Sequence, residues 1–190
     1  MGLITSKIWR IFGTSKRNLH MIGFEDAGKT SILRKLIPNE FVQIIPILGA
    51  NLEEVRYKRL TFTNMDIGGS QRIRRLEYHL CEKKDVIIFV IDSTEVSRLA
   101  CSTMECRDCV KDELHDLLKQ KETGNVPLLI YANKQDLSGA VSPEYILEKL
   151  ELDSLCAGRS WHIQPCSALT GDGLFDGLKW LEYEIALERK

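Results

Sequence analysis

Residues 23–30 read Gly23-Phe24-Glu25-Asp26-Ala27-Gly28-Lys29-Thr30 and fit the pattern G-x-x-x-x-G-K-[ST]. An apolar run of strand length, Leu19 to Phe24, leads into this loop, and a helical pattern begins at Ser31. In such a loop the glycines let the backbone wrap around a phosphate, while successive N–H groups and the helix N-terminus form the cradle. The stretch therefore predicts a strand, a phosphate-binding loop and a helix, in that order.

Two side chains of this loop have distinct predicted roles. We expect Lys29 to bridge the outer phosphates of a nucleotide and the hydroxyl of Thr30 to ligate Mg2+, because this ion takes few protein oxygens and completes its octahedron with nucleotide oxygens and water. The candidate nucleotide-binding residues are Gly23, Glu25, Asp26, Ala27, Gly28, Lys29, Thr30 and Ser31. The competing interpretation is a glycine-rich turn with a solvated lysine.

Strand-like and helical patterns alternate along the rest of the chain. The apolar runs are Leu19 to Phe24, Leu60 to Asp66, Val86 to Asp92 and Val126 to Asn133, and the helical patterns include Ser31 to Leu36, Cys106 to Leu118 and a C-terminal stripe of Leu174, Leu178, Leu181 and Ile185. This alternation predicts an α/β fold with a mostly parallel sheet buried on both faces. Between Leu52 and Asp66, two strands meet at Lys58-Arg59 without room for a crossover helix, which predicts an antiparallel hairpin at the sheet edge.

A second motif, Asp66-Ile67-Gly68-Gly69, closes one of the apolar runs. Functional loops gather at the carboxyl ends of the strands in an open parallel sheet. There the carboxylate of Asp66 can hold a metal ion through water, and the N–H of Gly69 can approach the terminal phosphate. We therefore add Asp66 as a candidate metal ligand and Gly69 as a candidate nucleotide contact.

A third motif, Asn133-Lys134-Gln135-Asp136, closes the last of the four runs. A carboxylate there can accept two hydrogen bonds from the N1–H and 2-amino groups of guanine, which adenine lacks. Against adenine the carboxylate would be buried and unpaired, which carries a large penalty. We therefore expect Asn133, Lys134 and Asp136 to select guanine, and this disfavours an ATP-using kinase built on the same phosphate loop.

A fourth motif, Cys166-Ser167-Ala168-Leu169, follows the next short strand. Ser167 and Ala168 are candidate nucleotide contacts, and the Ala168 N–H can meet the O6 atom of the base. The motif is weak by itself. It supports the assignment because it comes after the phosphate, metal and base motifs in that order.

This order of motifs is that of small GTPases, and the surrounding residues resemble the ADP-ribosylation-factor-like (Arf-like) family over essentially the whole chain. The matching segments are Gly49-x-Asn51-x-Glu53-Glu54, Asp66-Ile67-Gly68-Gly69, Ile73-Arg74, Asp92-Ser93-Thr94, Ala132-Asn133-Lys134-Gln135-Asp136-Leu137 and Cys166 to Leu174. The resemblance implies a P-loop small-GTPase fold with a six-stranded sheet flanked by helices, and GTP, GDP and Mg2+ as ligands. It also implies a membrane-trafficking switch that works with effectors and exchange factors on Golgi or other endomembranes.

Composition limits the remaining classes of function. A chain of 190 residues with 44% apolar and 28% charged residues is typical of one soluble domain. Six cysteines without a signal-peptide pattern favour free thiols in the cytoplasm, and no apolar run approaches the length of a membrane span, about 20 residues. The lone Cys106-x-x-Cys109 lacks a second ligand pair, so buried helix positions are favoured over a zinc site. We expect a monomer.

The N-terminus carries the only marked charge asymmetry. No acidic residue precedes Glu25, while Lys7, Arg10, Lys16 and Arg17 are basic, which suits an anionic membrane better than nucleic acid. Met1-Gly2-Leu3-Ile4-Thr5-Ser6 fits the N-myristoylation pattern at Gly2, and Leu3, Ile4, Ile8, Ile11 and Phe12 share one helical face. Residues 1–16 are thus predicted as an amphipathic membrane helix and 17–190 as the GTP-binding domain. A helix docked permanently on the domain is the alternative.

Two positions depart from the family's pattern. Ile47 stands where the family has a Thr that ligates Mg2+, and Ser70 stands where it has the Gln that orients the attacking water. Isoleucine cannot ligate a metal, and serine is too short to reach as glutamine does. No catalytic residue is therefore assigned, and GTP hydrolysis is expected to be slow or dependent on a partner. The alternative is a nucleotide-bound membrane scaffold without useful turnover.

Overall fold

A computed structural model describes residues 17–37, 42–47, 50–57, 60–67, 85–99, 109–120 and 123–187. The strands are β1 (Arg17–Phe24), β2 (Val42–Ile47), β3 (Ala50–Tyr57), β4 (Leu60–Ile67), β5 (Val86–Asp92), β6 (Leu128–Asn133) and β7 (Trp161–Pro165). The helices are α1 (Lys29–Leu36), α2 (Val96–Leu99), α3 (Val110–Leu118), α4 (Pro143–Leu150), α5 (Leu152–Leu155) and α6 (Leu174–Leu187). Of β2, β3 and most of β4, only the backbone is described.

The strands form one sheet in the order β2-β3-β4-β1-β5-β6-β7. Pairing is parallel from β4 through β7, whereas β3 is antiparallel to β4 and β2 is antiparallel to β3. The predicted α/β fold with a mostly parallel sheet flanked by helices is confirmed. Tyr57 pairs with Leu60, so β3 and β4 are joined through Lys58 and Arg59.

The predicted number of six strands is wrong, because the described residues form seven. The additional strand is β2, which pairs with β3 from Val42↔Val55 to Ile47↔Ala50. It lies at the sheet edge, where the sequence predicts the hairpin. Its run contains Gln43 and Pro46, which interrupt the apolar pattern of a buried strand. Proline is tolerated in an edge strand because one side of that strand needs no sheet partner.

Alternating side chains of the central strands pack against two helical layers. Val86, Ile88 and Val90 face the cluster that contains α1 and α6, whereas Ile87 and Phe89 face the cluster that contains α2 to α5. A sheet buried on both faces needs apolar residues at every position, which explains the unbroken run of β5. None of the helices in the described part of the chain is long and apolar enough to cross a bilayer.

Boundaries differ from the predicted ones at several elements: β1 begins at Arg17 instead of Leu19, β4 ends at Ile67 instead of Asp66, and α1 begins at Lys29 instead of Ser31. Strand β6 begins at Leu128 instead of Val126, because the Val126 N–H donates to Thr123 O in a turn and Pro127 has no N–H for the ladder. Helix α3 is described from Val110, and the predicted start at Cys106 lies outside the described residues. Cys109, at the N-cap of α3, is buried.

Register brings the motif-bearing strand ends to one edge of the sheet. Gly23 at the end of β1 pairs with Asp66 at the end of β4, and Asp92 at the end of β5 pairs with Asn133 at the end of β6. A Cβ on Gly23 would overlap the carbonyl oxygen of Val90, so only glycine lets β1 pass this close to β5. Four strand ends distant in sequence therefore lie side by side.

Candidate nucleotide-binding site

The loop after β1 is a tight turn that leads directly into α1. The Ala27 N–H donates to Phe24 O (3.2 Å), and both Asp26 (φ +61°) and Gly28 (φ +98°) adopt the left-handed conformation. Aspartate tolerates this conformation better than most residues with a side chain. The first N–H groups of a helix lack intrahelical acceptors, and those of α1 adjoin this loop. The backbone thus has the form of an anion cradle.

Lys29 lies inside the loop and is only 2% exposed. Its Nζ atom donates to Gly23 O (2.8 Å) and Phe24 O (2.6 Å). A buried ammonium needs such partners, because burial without them costs several kcal/mol. Lys29 is therefore not solvated, because two carbonyl oxygens of the loop bind its ammonium group.

Asn133 joins the phosphate loop to the loop after β7. The residue is 1% exposed, its Nδ2 donates to Ala27 O (2.8 Å), and its Oδ1 accepts from the Ala168 N–H (2.9 Å). Both polar atoms of the carboxamide therefore bind the protein itself. Gly28 must be glycine here, because a Cβ would overlap Asn133 Nδ2. The motif predicts a contact between Asn133 and the base, but its spacing does not indicate that Asn133 links two loops distant in sequence.

Lys134 forms an ion pair with Asp92, which sequence reasoning did not count as a site residue. Lys134 Nζ lies 2.6 Å from Asp92 Oδ2, and Asp92 Oδ1 accepts from the N–H (2.8 Å) and the hydroxyl (2.6 Å) of Thr94. Burial raises the pKa of Asp92, but the hydrogen bonds from Lys134 and Thr94 outweigh it and leave that pKa below its usual value. Its position at the end of an apolar strand, like that of Asp66, was the signal available in the sequence.

Three acidic side chains at the site have no such partners. Glu25, Asp26 and Asp136 are exposed, and none makes a hydrogen bond or ion pair with any residue that the structure describes. Asp136 sits in a turn closed by the Leu137 N–H and Lys134 O (3.0 Å). Its carboxylate oxygens are thus available to a ligand, beside the Asp92–Lys134 pair.

The loop from Cys166 to Gly173 is built around Ser167, which is 3% exposed. The hydroxyl of Ser167 accepts from the Thr170 N–H (3.1 Å), and its carbonyl accepts from the Gly171 N–H (2.8 Å). Ser167 therefore shapes the loop, whereas Ala168 presents its N–H to Asn133. A base oxygen would have to share that N–H with Asn133 Oδ1.

The backbones of the two candidate metal ligands, Thr30 and Asp66, lie in or beside the phosphate loop. Thr30 is partly buried in the first turn of α1, and the backbone of Asp66, one residue before the end of β4, pairs with Gly23. A hydroxyl and a carboxylate are oxygen donors of the kind that Mg2+ prefers, and this donor set fits the ion. Ser31 is exposed in the same turn. Gly2, Gly69 and Ser70 lie outside the described residues, and only the backbone of Ile47 and Asp66 is described.

Comparison with known proteins agrees with this arrangement. A sequence model described as the ADP-ribosylation factor family matches residues 4–185. Among solved structures, the Arl6 BBS3 small GTPase from Trypanosoma brucei with bound nucleotide analogue GppNp is similar, at 29% sequence identity and a TM-score of 0.71, over 91% of this chain and 99% of that chain. The match spans nearly the whole sequence and includes all four motifs. The chain therefore belongs to the ADP-ribosylation factor family of GTP-binding regulatory proteins.

Proposed function

We propose that the chain is a guanine-nucleotide switch in membrane trafficking, which binds GTP and GDP with Mg2+ and hydrolyses GTP slowly or only with a partner. The observation that carries this proposal is the carboxamide of Asn133, which ties the phosphate loop at Ala27 to the loop of Ala168. Phosphate and base sites joined in this way suit one ligand that has both groups. The similar structure from Trypanosoma brucei contains GppNp, which supports a nucleoside triphosphate.

The unpaired carboxylate of Asp136 supports guanine as the base. It lies two residues from Lys134 in a closed turn, and it has no competing cation among the described residues. Two donors on one edge of guanine match its two oxygens, and adenine offers no such pair. In this proposal the Asp92–Lys134 ion pair fixes the start of the turn, while Asp136 distinguishes guanine from adenine.

In the proposed complex, Thr30 and Asp66 would be the residues that hold Mg2+. When bound, this ion neutralises charge on the phosphates. Lys29 faces the phosphates from inside the loop, and the N–H groups at the start of α1 bind their oxygens. Glu25 and Asp26 add negative charge near the same phosphates, so we expect them to lower the affinity for a triphosphate.

The departures at residues 47 and 70 affect GTP hydrolysis and leave nucleotide binding intact. Ile47 cannot ligate the ion and Ser70 cannot orient water as glutamine does, whereas the contacts to the base and inner phosphates keep their residues. We infer that partners supply the missing groups or that hydrolysis is slow. The second candidate function, favoured by the same two residues, is a nucleotide-bound scaffold at a membrane without useful turnover.

Single-turnover hydrolysis of bound GTP, with and without Mg2+, distinguishes these functions. We expect a slow, metal-dependent rate that exceeds hydrolysis of free GTP, and Ile47→Thr combined with Ser70→Gln should increase it at least about tenfold, because a positioned water lowers the barrier. A metal-independent rate equal to that of free GTP would favour the scaffold. The double variant tested without Mg2+ is the control.

The basic N-terminal segment supports peripheral attachment to a membrane through acylated Gly2. A single acyl chain binds membranes only marginally, so the amphipathic residues 3–12 would have to add to it. We expect the acylated full-length chain to float with vesicles that contain anionic lipid, and Gly2→Ala to abolish most of that flotation. Equal flotation of both forms would rule out Gly2 as the anchor.

A further inference from the structure

Lys35 connects α1 to the loop between Cys166 and Gly173, which we term the base loop. Lys35 Nζ donates to Leu169 O at 2.8 Å, across 134 residues of sequence. The stem of Lys35 also passes close to Gly171, where an added Cβ would lie 2.9 Å from Lys35 Cε. The side chain thus crosses the base loop and ends in a hydrogen bond on its backbone.

The tip of the base loop has little other anchorage. The side chain of Leu169 is 75% exposed, and Thr170 is also exposed, so neither is held by burial. The hydrogen bonds from the Thr170 and Gly171 N–H groups run within the loop, to Ser167. The Lys35 bond is different, because it connects the tip to a helix on another part of the chain.

Helix α1 therefore contacts both halves of the site. It begins at Lys29 in the phosphate loop, and Lys35 near its end holds the carbonyl next to Ala168. We propose that Lys35 is a positioning residue that keeps the base loop, and with it the Ala168 N–H, in the geometry that binds guanine. This inference rests on the proposed function for the identity of the ligand. Lys35 itself does not touch the base.

The test compares full-length wild-type, Lys35→Met, Lys35→Arg and Arg34→Met proteins. Methionine keeps the apolar stem over Gly171 and removes the donor, whereas arginine restores a donor. Arg34 is the matched control, because it is exposed on the same helix and makes no hydrogen bond or ion pair with described residues. The readouts are the dissociation rate of a fluorescent GDP analogue, the acceleration of that rate by EDTA, and amide exchange at residues 169–171.

Lys35→Met should release the GDP analogue about three- to tenfold faster, as expected for the loss of one hydrogen bond from a charged donor. The factor by which EDTA accelerates release should stay the same, because the metal side of the site is intact, and amide protection should fall at residues 169–171. Lys35→Arg should recover most of the slow release. Arg34→Met should match the wild type and so exclude a general effect of charge.

Four results would overturn the inference. If Lys35→Met lost amide protection but released the GDP analogue at the wild-type rate, Lys35 would hold the base loop without affecting the ligand. Unchanged amide protection in Lys35→Met would show that Lys35 does not hold the base loop. Equally fast release of the GDP analogue from Arg34→Met would show that the effect of Lys35 is one of long-range charge. A wild-type chain that binds no guanine nucleotide would refute the proposed function and, with it, the positioning role. This result is seen in the wild type alone, so it can be told apart from a failure of the Lys35 inference.

Discussion

Asp136→Asn is expected to weaken GTP and GDP binding about 100- to 1,000-fold and to make xanthine nucleotides effective competitors. The wild-type carboxylate is exposed, without a partner among the described residues, and it lies in the turn that begins at Lys134. Asparagine presents an N–H2 group to the 2-amino group of guanine, so a donor faces a donor. Xanthine carries a carbonyl at that position and accepts from the new amide. Competition against a bound fluorescent nucleotide measures both affinities.

Asp153→Asn is the matched control for this variant, because it removes an equal charge from an exposed position on α5. It should leave the preference for guanine over xanthine unchanged. If Asp136→Asn bound GTP as tightly as the wild type, the base pocket would have to be built from other residues.

Asn133→Ala is expected to reduce nucleotide affinity about 100-fold and to destabilise the protein by about 2–4 kcal/mol, because it leaves one buried and one half-buried partner unsatisfied. Those partners, Ala27 O and the Ala168 N–H, belong to the phosphate loop and the base loop. Without the carboxamide the two loops are no longer tied together. Thermal unfolding of the nucleotide-free protein and titration with GDP measure the two effects separately.

Gln135→Ala provides the comparison for Asn133→Ala. Gln135 is the neighbouring amide, and its Nε2 donates to Ser93 Oγ (2.9 Å) and Val141 O (3.1 Å), neither of which lies in the phosphate loop or the base loop. We expect Gln135→Ala to lower the free energy of unfolding while keeping most of the nucleotide affinity. Equal losses of affinity in both variants would show that Asn133 acts only through stability.

The fold was predictable from the sequence wherever a local pattern carried it. Apolar runs identified β1, β5 and β6, since strands buried on both faces need mostly apolar residues; His20 is the polar residue within the run of β1. Strand β2 was missed, because Pro46 and Gln43 disrupt such a run and an edge strand tolerates them. Edge strands follow weaker rules than central ones, so their number is the less predictable part of a sheet.

The site was predictable as a set of residues but not as a set of contacts. The motifs placed Lys29 and Asn133 near one ligand, yet they did not indicate that Lys29 is held by its own loop or that Asn133 binds backbone on both sides. Asp92 and Lys35 were missed as site residues, because their partners lie 42 and 134 residues away. Contacts between such distant residues depend on strand register and helix packing, which cannot be predicted from the spacing of residues within a motif.

Identification of the nucleotide that co-purifies with the full-length chain in the presence of Mg2+ tests the central claim most directly. Extraction and chromatography should recover GDP or GTP in an amount stoichiometric with the protein, since the phosphate loop, Asn133 and Asp136 would together retain a guanine nucleotide. Recovery of adenine nucleotides, or a chain that retains neither GDP nor GTP even when they are added with Mg2+, would contradict it.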